Sequence, residues 1–249
     1  MECRDSIILL SLLHASRSRH DPPIQAVTFD VGGTLIEPWP SVGHVYAEVA
    51  ARHGFEDLSA AILNRQFAAA WQARQNFNHT RAEWAELVDA TFEGLVETLP
   101  SETFFPDLYS CFAQPDAWRI FEDVLPTLDT LASRDLKLAI ISNWDERLRP
   151  LLRQLRLFDY FDAVVISCEA GFSKPSPAIF EDAARKLALP PEAILHVGDS
   201  PEKDVQGACT AGLRTFELQR AAPKSTKRQL RSLYELEALL EPKVGNSLH

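Results

Sequence analysis

The second half of the chain alternates short apolar runs with amphipathic segments, and this alternation constrains the fold more than any other feature. The apolar runs have the length and composition of strands, and the segments between them have the apolar spacing of helices. The predicted strands are 137–142, 163–167, 193–197 and 213–218, and the predicted helices lie near 146–156, 177–188 and 203–211. Short connections between such elements predict a parallel sheet covered by helices on both faces.

A further strand is predicted at residues 24–30, an apolar run that closes on Asp30 and a Gly32-Gly33 turn. The segment after it, residues 41–117, has a helical pattern instead. Helices are expected to begin at Ser41, Ser59 and Thr80, with a fourth around 104–112. The fold class is therefore predicted to be α/β, a doubly wound parallel sheet with an inserted all-helical cap.

The predicted domain organisation follows from these patterns. The α/β core is expected to comprise residues 24–40 and 118–240, and the cap residues 41–117. Residues 1–23 form an N-terminal extension and 241–249 a loose tail. Helical spacing within the cap indicates that its aromatic residues belong to the core of the cap. These aromatics are Trp71, Phe77, Trp84 and Phe92.

Charge and cysteine content exclude several classes of function. The formal net charge of −10 argues against nucleic acid and against anionic membrane surfaces as partners. An apolar run at residues 7–13 is too short to span a bilayer. The four cysteines are widely spaced without a Cys-x-x-Cys motif, so neither a disulfide scaffold nor a zinc site is expected. A reducing, cytoplasmic setting is predicted; the oligomeric state is not readable from the sequence.

Polar residues suited to phosphate chemistry follow the predicted strands. Asp30 ends the first strand, Ser142 and Asn143 end the next, Lys174 lies in a later loop, and Asp199 and Asp204 follow the strand at 193–197. Ligands bind at the carboxyl ends of strands in sheets of this kind, so these side chains are expected to converge. Each motif is common by chance, and the signal lies in their order along the chain.

Each residue type suits one role in phosphoryl transfer. Asp30 is the predicted nucleophile, and it would hold Mg²⁺ together with Asp199, the carbonyl of Gly32 and, through water or as a supporting residue, Asp204. Lys174 would neutralise charge on the nucleophile and on the transferring phosphoryl group, and Ser142 would donate to a phosphate oxygen. Backbone N–H groups of the turn at Gly32, Gly33 and Thr34, together with Asn143, complete the predicted phosphate-binding set.

With these residues in place, the chain resembles the haloacid dehalogenase superfamily over about residues 24–220. It is most similar to the haloacid dehalogenase-like hydrolase domain-containing proteins, which carry a helical cap and lack a second Asp in the first motif. The resemblance implies a Rossmann-like core, Mg²⁺ as cofactor, an aspartyl-phosphate intermediate on Asp30 and a small phosphorylated metabolite as substrate. The implied roles of Ser142, Lys174, Asp199 and Asp204 are those given above.

The chain departs from phosphatases of this superfamily at Gly32, where they carry the Asp that acts as general acid and base. The departure predicts weak activity on alkyl phosphates and better activity on acyl or aryl phosphates, whose leaving groups depart without a proton. Glu37 and His44 are candidates for a replacement donor, although surface exposure is the more ordinary expectation for both.

Two other functions stay open at this point. The first is a hydrolase-shaped protein that binds a phosphate ligand without turnover. The second is a 2-haloacid dehalogenase, which uses an Asp nucleophile and no metal and would need Arg52 or Arg65 for the substrate carboxylate. A phosphonatase is disfavoured because it needs a lysine in the cap, and the chain has none before Lys137.

Overall fold

The computed structural model describes residues 22–74, 77–221 and 228–240. Six parallel strands form its main sheet, in the order β5-β4-β1-β6-β7-β8. The strands are β1 (Ala26–Phe29), β4 (Lys137–Ser142), β5 (Ala163–Ile166), β6 (Ile194–Gly198), β7 (Arg214–Leu218) and β8 (Gln229–Leu230). The near-continuous apolar sequences of β1, β4 and β6 are typical of strands that are buried on both faces.

The strand order reverses beside β1, and this places a crevice at the centre of the sheet. From β1 the chain continues through β4 and β5 on one side, then returns to β6, β7 and β8 on the other. Phe29, the last residue of β1, is in register with Ile140 of β4 and Val197 of β6. Residues that follow these three strands therefore meet at one edge, at the position where such sheets bind ligands.

Helices cover both faces of this sheet. Leucines and valines of α5 (Val124–Ala132), α6 (Leu148–Gln154) and α10 (Glu235–Leu240) pack against one face. The short α7 (Ser167–Ala170), α8 (Pro177–Leu187) and α9 (Gly207–Thr210) follow the remaining strands, and α8 and α9 contribute to the core on the other face. The predicted α/β class with a doubly wound parallel sheet is confirmed.

Four helices lie between β1 and α5: α1 (Val42–Arg52), α2 (Ala60–Gln72), α3 (Arg81–Phe92) and α4 (Phe105–Cys111). They share a core of their own, which includes Tyr46, Leu63, Phe92 and Phe104. Local sequence fixes where they begin. Thr80 and Glu83 form the reciprocal capping box that the sequence predicts at the start of α3.

Two short antiparallel strands, β2 (Ile36–Pro38) and β3 (Trp118–Ile120), carry the chain into and out of this helical segment. The sequence predicts neither strand, and the domain boundaries near residues 41 and 117 stay a prediction. The predicted helix at 203–211 is wrong in its first half, where Pro201–Gln206 forms a wide π-helical turn before α9.

The N-terminal extension, except for Pro22 and Pro23, and the C-terminal tail lie outside the described residues. Within the described part of the chain, no helix combines the length and the apolar character needed to cross a bilayer.

Candidate active site

The side chains predicted to form a site converge at the carboxyl edge of the sheet. Asp30 follows β1, Ser142 ends β4, and Lys174 comes from the loop before α8. Asp30 Oδ1 accepts hydrogen bonds from Ser142 Oγ at 3.0 Å and from Lys174 Nζ at 2.5 Å. All three side chains are buried. Asp30 is thus oriented by a hydroxyl and a cation at the centre of the sheet.

Lys174 is held between two carboxylates. Its Nζ lies 2.5 Å from Asp30 Oδ1 and 2.5 Å from Asp204 Oδ1. Burial by itself would lower the pKa of Lys174, but the carboxylates of Asp204 and Asp30 outweigh it and raise this pKa above its usual value. Asn143 fixes the lysine backbone, accepting from Lys174 N at 2.7 Å and donating to Lys174 O at 2.9 Å. Asn143 therefore positions the cation through its main chain.

Asp204 is buried behind the nucleophile and has several partners. Its Oδ2 accepts from Ser200 N at 3.0 Å, and its Oδ1 lies 3.2 Å from His196 Nε2. Burial would raise the pKa of Asp204, but Lys174 and His196 hold it well below its usual value. A Cβ on Gly198 would come within 2.2 Å of this carboxyl group, so glycine is required there. These contacts hold the Asp204 side chain in place as a buried carboxylate.

Asp30, Asp199 and Asp204 together form a site that fits a divalent cation. One oxygen of each lies within 4.8 Å of the others, whereas Lys174 supplies one positive charge against the three carboxylates. Burial, followed by the charges of Asp30 and Asp204, raises the pKa of Asp199 to about 7, although its side chain is exposed to the cavity. Hard carboxylate oxygens with excess negative charge suit Mg²⁺. A ligand role for the Gly32 carbonyl stays a prediction.

The turn after Asp30 is built differently from the predicted anion site. Gly33 N donates to Ile36 O at 2.8 Å and Thr34 N donates to Val31 O at 3.2 Å, so both amides are used within the turn. This contradicts the phosphate-binding role predicted for Gly33 and Thr34. Gly33 is instead required by the shape of the turn, because it adopts a φ of +78° and a Cβ there would lie 2.4 Å from Asp199 Oδ2.

The Trp144 ring lies next to Gly32. A Cβ built on Gly32 would meet the Trp144 ring at 3.4 Å. Neither proposed replacement for the missing acid faces the cavity. Arg119 Nε donates to Glu37 Oε1 at 2.9 Å, and His44 Nδ1 lies 2.7 Å from Ser41 Oγ. The structure therefore rejects Glu37 and His44 as proton donors.

A cavity of about 910 Å³ opens above these residues, between the sheet edge and the helical segment. Trp71 and Trp84 line it, so the prediction that Trp71 is a core residue is wrong. Trp84 lines the cavity and also packs against the core of the helical segment, and Phe92 is fully buried, as predicted. Helical spacing marked these residues as inward-facing without distinguishing a core from a cavity. Nine aromatic side chains of the described residues line the cavity: Tyr46, Phe67, Trp71, Trp84, Phe105, Tyr109, Phe112, Trp118 and Trp144.

The loop after β4 also connects the core to the helical segment. Asp145 is buried and accepts from Trp84 Nε1 at 3.0 Å, while it forms an ion pair with Arg147 at 2.6 Å. Arg147 also donates to the backbone oxygen of Tyr109 at 2.9 Å and lies over that ring at 3.6 Å. The sequence analysis did not identify this contact; the available signal was an Asp two residues after the Ser142-Asn143 pair.

His79 lies among the aromatic rings of the cavity wall and has an unusual environment. It is buried, has a φ of +62°, and its Nδ1 has no hydrogen-bond partner among the described residues. Burial, together with the charge of Lys203, lowers the pKa of His79 to about 4. The imidazole is therefore neutral near pH 7. Lys203 Nζ itself lies 5.5 Å from the centre of the Trp71 ring.

Comparison with known proteins relates this geometry to a family. A family model for haloacid dehalogenase-like hydrolases matches residues 24–212. Haloacid dehalogenase-like hydrolase domain-containing protein 3 of Bos taurus is 33% identical over 208 residues, which cover 79% of this chain and 82% of the relative. Glyceraldehyde 3-phosphate phosphatase of Methanopyrus kandleri is 38% identical over 106 residues, 40% of this chain and 43% of that protein.

Among solved structures, YfnB of Bacillus subtilis, crystallised with magnesium, superposes with a TM-score of 0.72 at 20% identity. The match covers 89% of this chain and 100% of YfnB. At this identity the likeness supports the fold.

Proposed function

Because the chain belongs to the haloacid dehalogenase-like hydrolase family, we propose that it is a Mg²⁺-dependent phosphatase with Asp30 as nucleophile. One observation carries the proposal: the Asp30 carboxylate touches Ser142 and Lys174 and lies within 4.8 Å of Asp199 and Asp204. A phosphatase among the relatives supports the reaction class. The substrate would be a small phosphorylated metabolite.

In the first step, an Asp30 oxygen attacks phosphorus, the bond to the leaving oxygen breaks, and that oxygen departs with the electron pair. Water then attacks phosphorus and releases phosphate and the Asp30 carboxylate. The ammonium of Lys174 offsets the charges of the Asp30 carboxylate and the phosphate as they approach each other. Ser142 donates a hydrogen bond to a phosphate oxygen. Asp30, Asp199 and Asp204 would hold Mg²⁺, which when bound would neutralise charge between carboxylate and phosphate.

Gly32 determines which leaving groups are suitable. Without a carboxylic acid at this position, the leaving oxygen departs unprotonated, and the loss of general acid catalysis typically costs about 10²–10⁴ in rate. Alkyl phosphates would bear this cost in full. Acyl and aryl phosphates would bear little of it, because their leaving groups are stable as anions.

A protein that binds phosphate ligands without turnover is the second candidate, favoured by the absence of a carboxyl side chain at Gly32. A 2-haloacid dehalogenase is less well supported. Arg52 and Arg65, the cations considered for its substrate, do not line the active-site cavity, and that reaction would leave Asp199 without a role.

The deciding experiment measures hydrolysis of acetyl phosphate with Mg²⁺. We expect turnover by the wild type and by Asp159→Asn, an exposed control, and none by Asp30→Asn or in EDTA. No turnover by the wild type would favour the binding role. Chloride release from 2-chloropropionate without metal would favour the dehalogenase.

A further inference from the structure

We propose that the substrate carries its phosphate on an aromatic ring, and that this ring stacks against the aromatic wall of the cavity at Trp71 and Trp84. The proposal deepens the proposed phosphatase function and rests on it for the reaction. Recognition of the ring, however, can be tested by ligand affinity alone, without any turnover. Two independent features of the structure lead to it.

The first feature is the arrangement of the rings. Phe67 and Trp71 are stacked with an interplanar angle of 20°, and Trp71 and Trp84 with an angle of 23°. All three side chains are half-buried and line the cavity, so each keeps an exposed part there, while Phe77 packs edge-on against Trp71 and Trp84. A core ring has no such free surface. Near-parallel, partly exposed rings are the surface on which a planar ligand ring stacks.

The second feature is the charge of the cavity, which is divided between its two ends. Asp30, Asp199 and Lys174 lie at the sheet edge, where the phosphate is expected. In the aromatic part, the charge of Arg147 is offset by Asp145. Lys203 Nζ lies 5.5 Å from the centre of the Trp71 ring, so this part of the cavity keeps a positive charge. A ligand with an anionic group at one end and an aromatic ring, whose face attracts a cation, at the other matches this division.

The absence of a carboxyl side chain at Gly32 supports the same ligand for a separate chemical reason. The leaving oxygen must depart without a proton. A phenol resembles the tyrosine side chain, with a pKa of about 10, whereas an alkyl alcohol is closer to water, with a pKa of about 15.7. Acyl phosphates also have good leaving groups, but small acyl phosphates have no ring that could contact the cavity wall. An aryl phosphate satisfies both requirements.

Two phosphonates of nearly equal size test the ring directly, because neither is hydrolysed. We expect phenylphosphonate to bind the wild-type protein with Mg²⁺ about tenfold more tightly than cyclohexylphosphonate, measured by titration calorimetry. Trp71→Leu removes the ring and retains apolar bulk, so it should abolish the preference. Trp71→Phe retains a ring and should preserve most of it.

Equal affinity of the wild type for the two phosphonates would overturn the proposal, and this comparison needs no variant to fold. A preference that survives both Trp71→Leu and Trp84→Leu would also overturn it. Far-UV circular dichroism shows whether Trp71→Leu is folded, and Asp159→Asn, an exposed control, should keep the wild-type preference. If the wild type does not hydrolyse acetyl phosphate but prefers phenylphosphonate, the proposed phosphatase function fails and the ring site stands.

Discussion

Replacing Lys174 with methionine would leave two buried carboxylates, Asp30 and Asp204, without the cation that they share. The lysine is 4% exposed, and its Nζ lies 2.5 Å from an oxygen of each carboxylate. At an effective dielectric constant of about 20, a contact of this length corresponds to about 7 kcal/mol of gross attraction. The cost of burying the charges offsets much of this. Removing one partner of a buried pair typically costs about 3–5 kcal/mol, and we expect a loss in this range.

The loss should depend on pH in a defined direction. Lys174 helps to hold the pKa of Asp204 below its usual value, and this contributes stability that is present above the unfolded-state pKa of about 3.9. In the variant both carboxyl groups have raised pKa values. Their buried charge then destabilises the fold at neutral pH, and protonation relieves this as the pH falls. The difference between the two proteins should therefore be largest near pH 7 and smaller at pH 5.

Urea unfolding of Lys174→Met and wild type at pH 7 and pH 5 measures this difference. EDTA is included, because Mg²⁺ would replace the missing charge. Lys186→Met is the matched control: its ion pair with Asp182 is on the surface, where such pairs contribute about 0–1 kcal/mol. A loss below about 1 kcal/mol for Lys174→Met at pH 7, or a loss that grows toward pH 5, would refute the reasoning.

Three further predictions concern the metal and the missing acid. Gly33→Ala places a Cβ 2.4 Å from Asp199 Oδ2. This variant should lower both the Mg²⁺ affinity and the acetyl phosphate turnover by at least about tenfold, and wild-type values for both would contradict this. The pKa of Asp199 is raised to about 7, and only its carboxylate form binds metal. The Mg²⁺ affinity measured by calorimetry should therefore rise with pH between 6 and 8, and a pH-independent affinity would contradict this. The Trp144 ring would lie 3.4 Å from a Cβ at Gly32, an ordinary van der Waals contact. Gly32→Asp should therefore be tolerated and should raise alkyl phosphate hydrolysis by restoring a general acid; an unchanged rate would contradict the missing-acid argument.

The sheet was predictable because its long strands are buried on both faces and alternate with helices. The predicted strand at 137–142 coincides with β4, and β1, β5, β6 and β7 lie within two residues of the predicted ranges. β2, β3 and β8 have only two or three residues, which is too short for any hydrophobic period to appear. The wide turn at 201–206 was also not predictable, because it depends on Asp204 N and Val205 N both donating to Ser200 O.

The polar residues at the sheet edge were predictable from the sequence, whereas the cavity wall was not. Asp30, Ser142 and Asp199 follow neighbouring strands, so topology alone brings them together. The cavity wall depends on how the helices lie over the sheet. Periodicity indicates that Trp71 and Trp84 face inward, but whether an inward face meets a core or an open space is decided by packing between distant segments.

The composition of the cavity wall also gives the protein an optical property. Four of its five tryptophans, Trp71, Trp84, Trp118 and Trp144, line the active-site cavity, and Trp39 lies outside it. The intrinsic fluorescence of the protein therefore arises largely from indoles that a bound ligand would touch or shield from water. Trp39 is 43% exposed, so an external quencher such as iodide would suppress its emission preferentially. The emission that remains would report occupancy of the cavity directly, without a label or a chromogenic substrate.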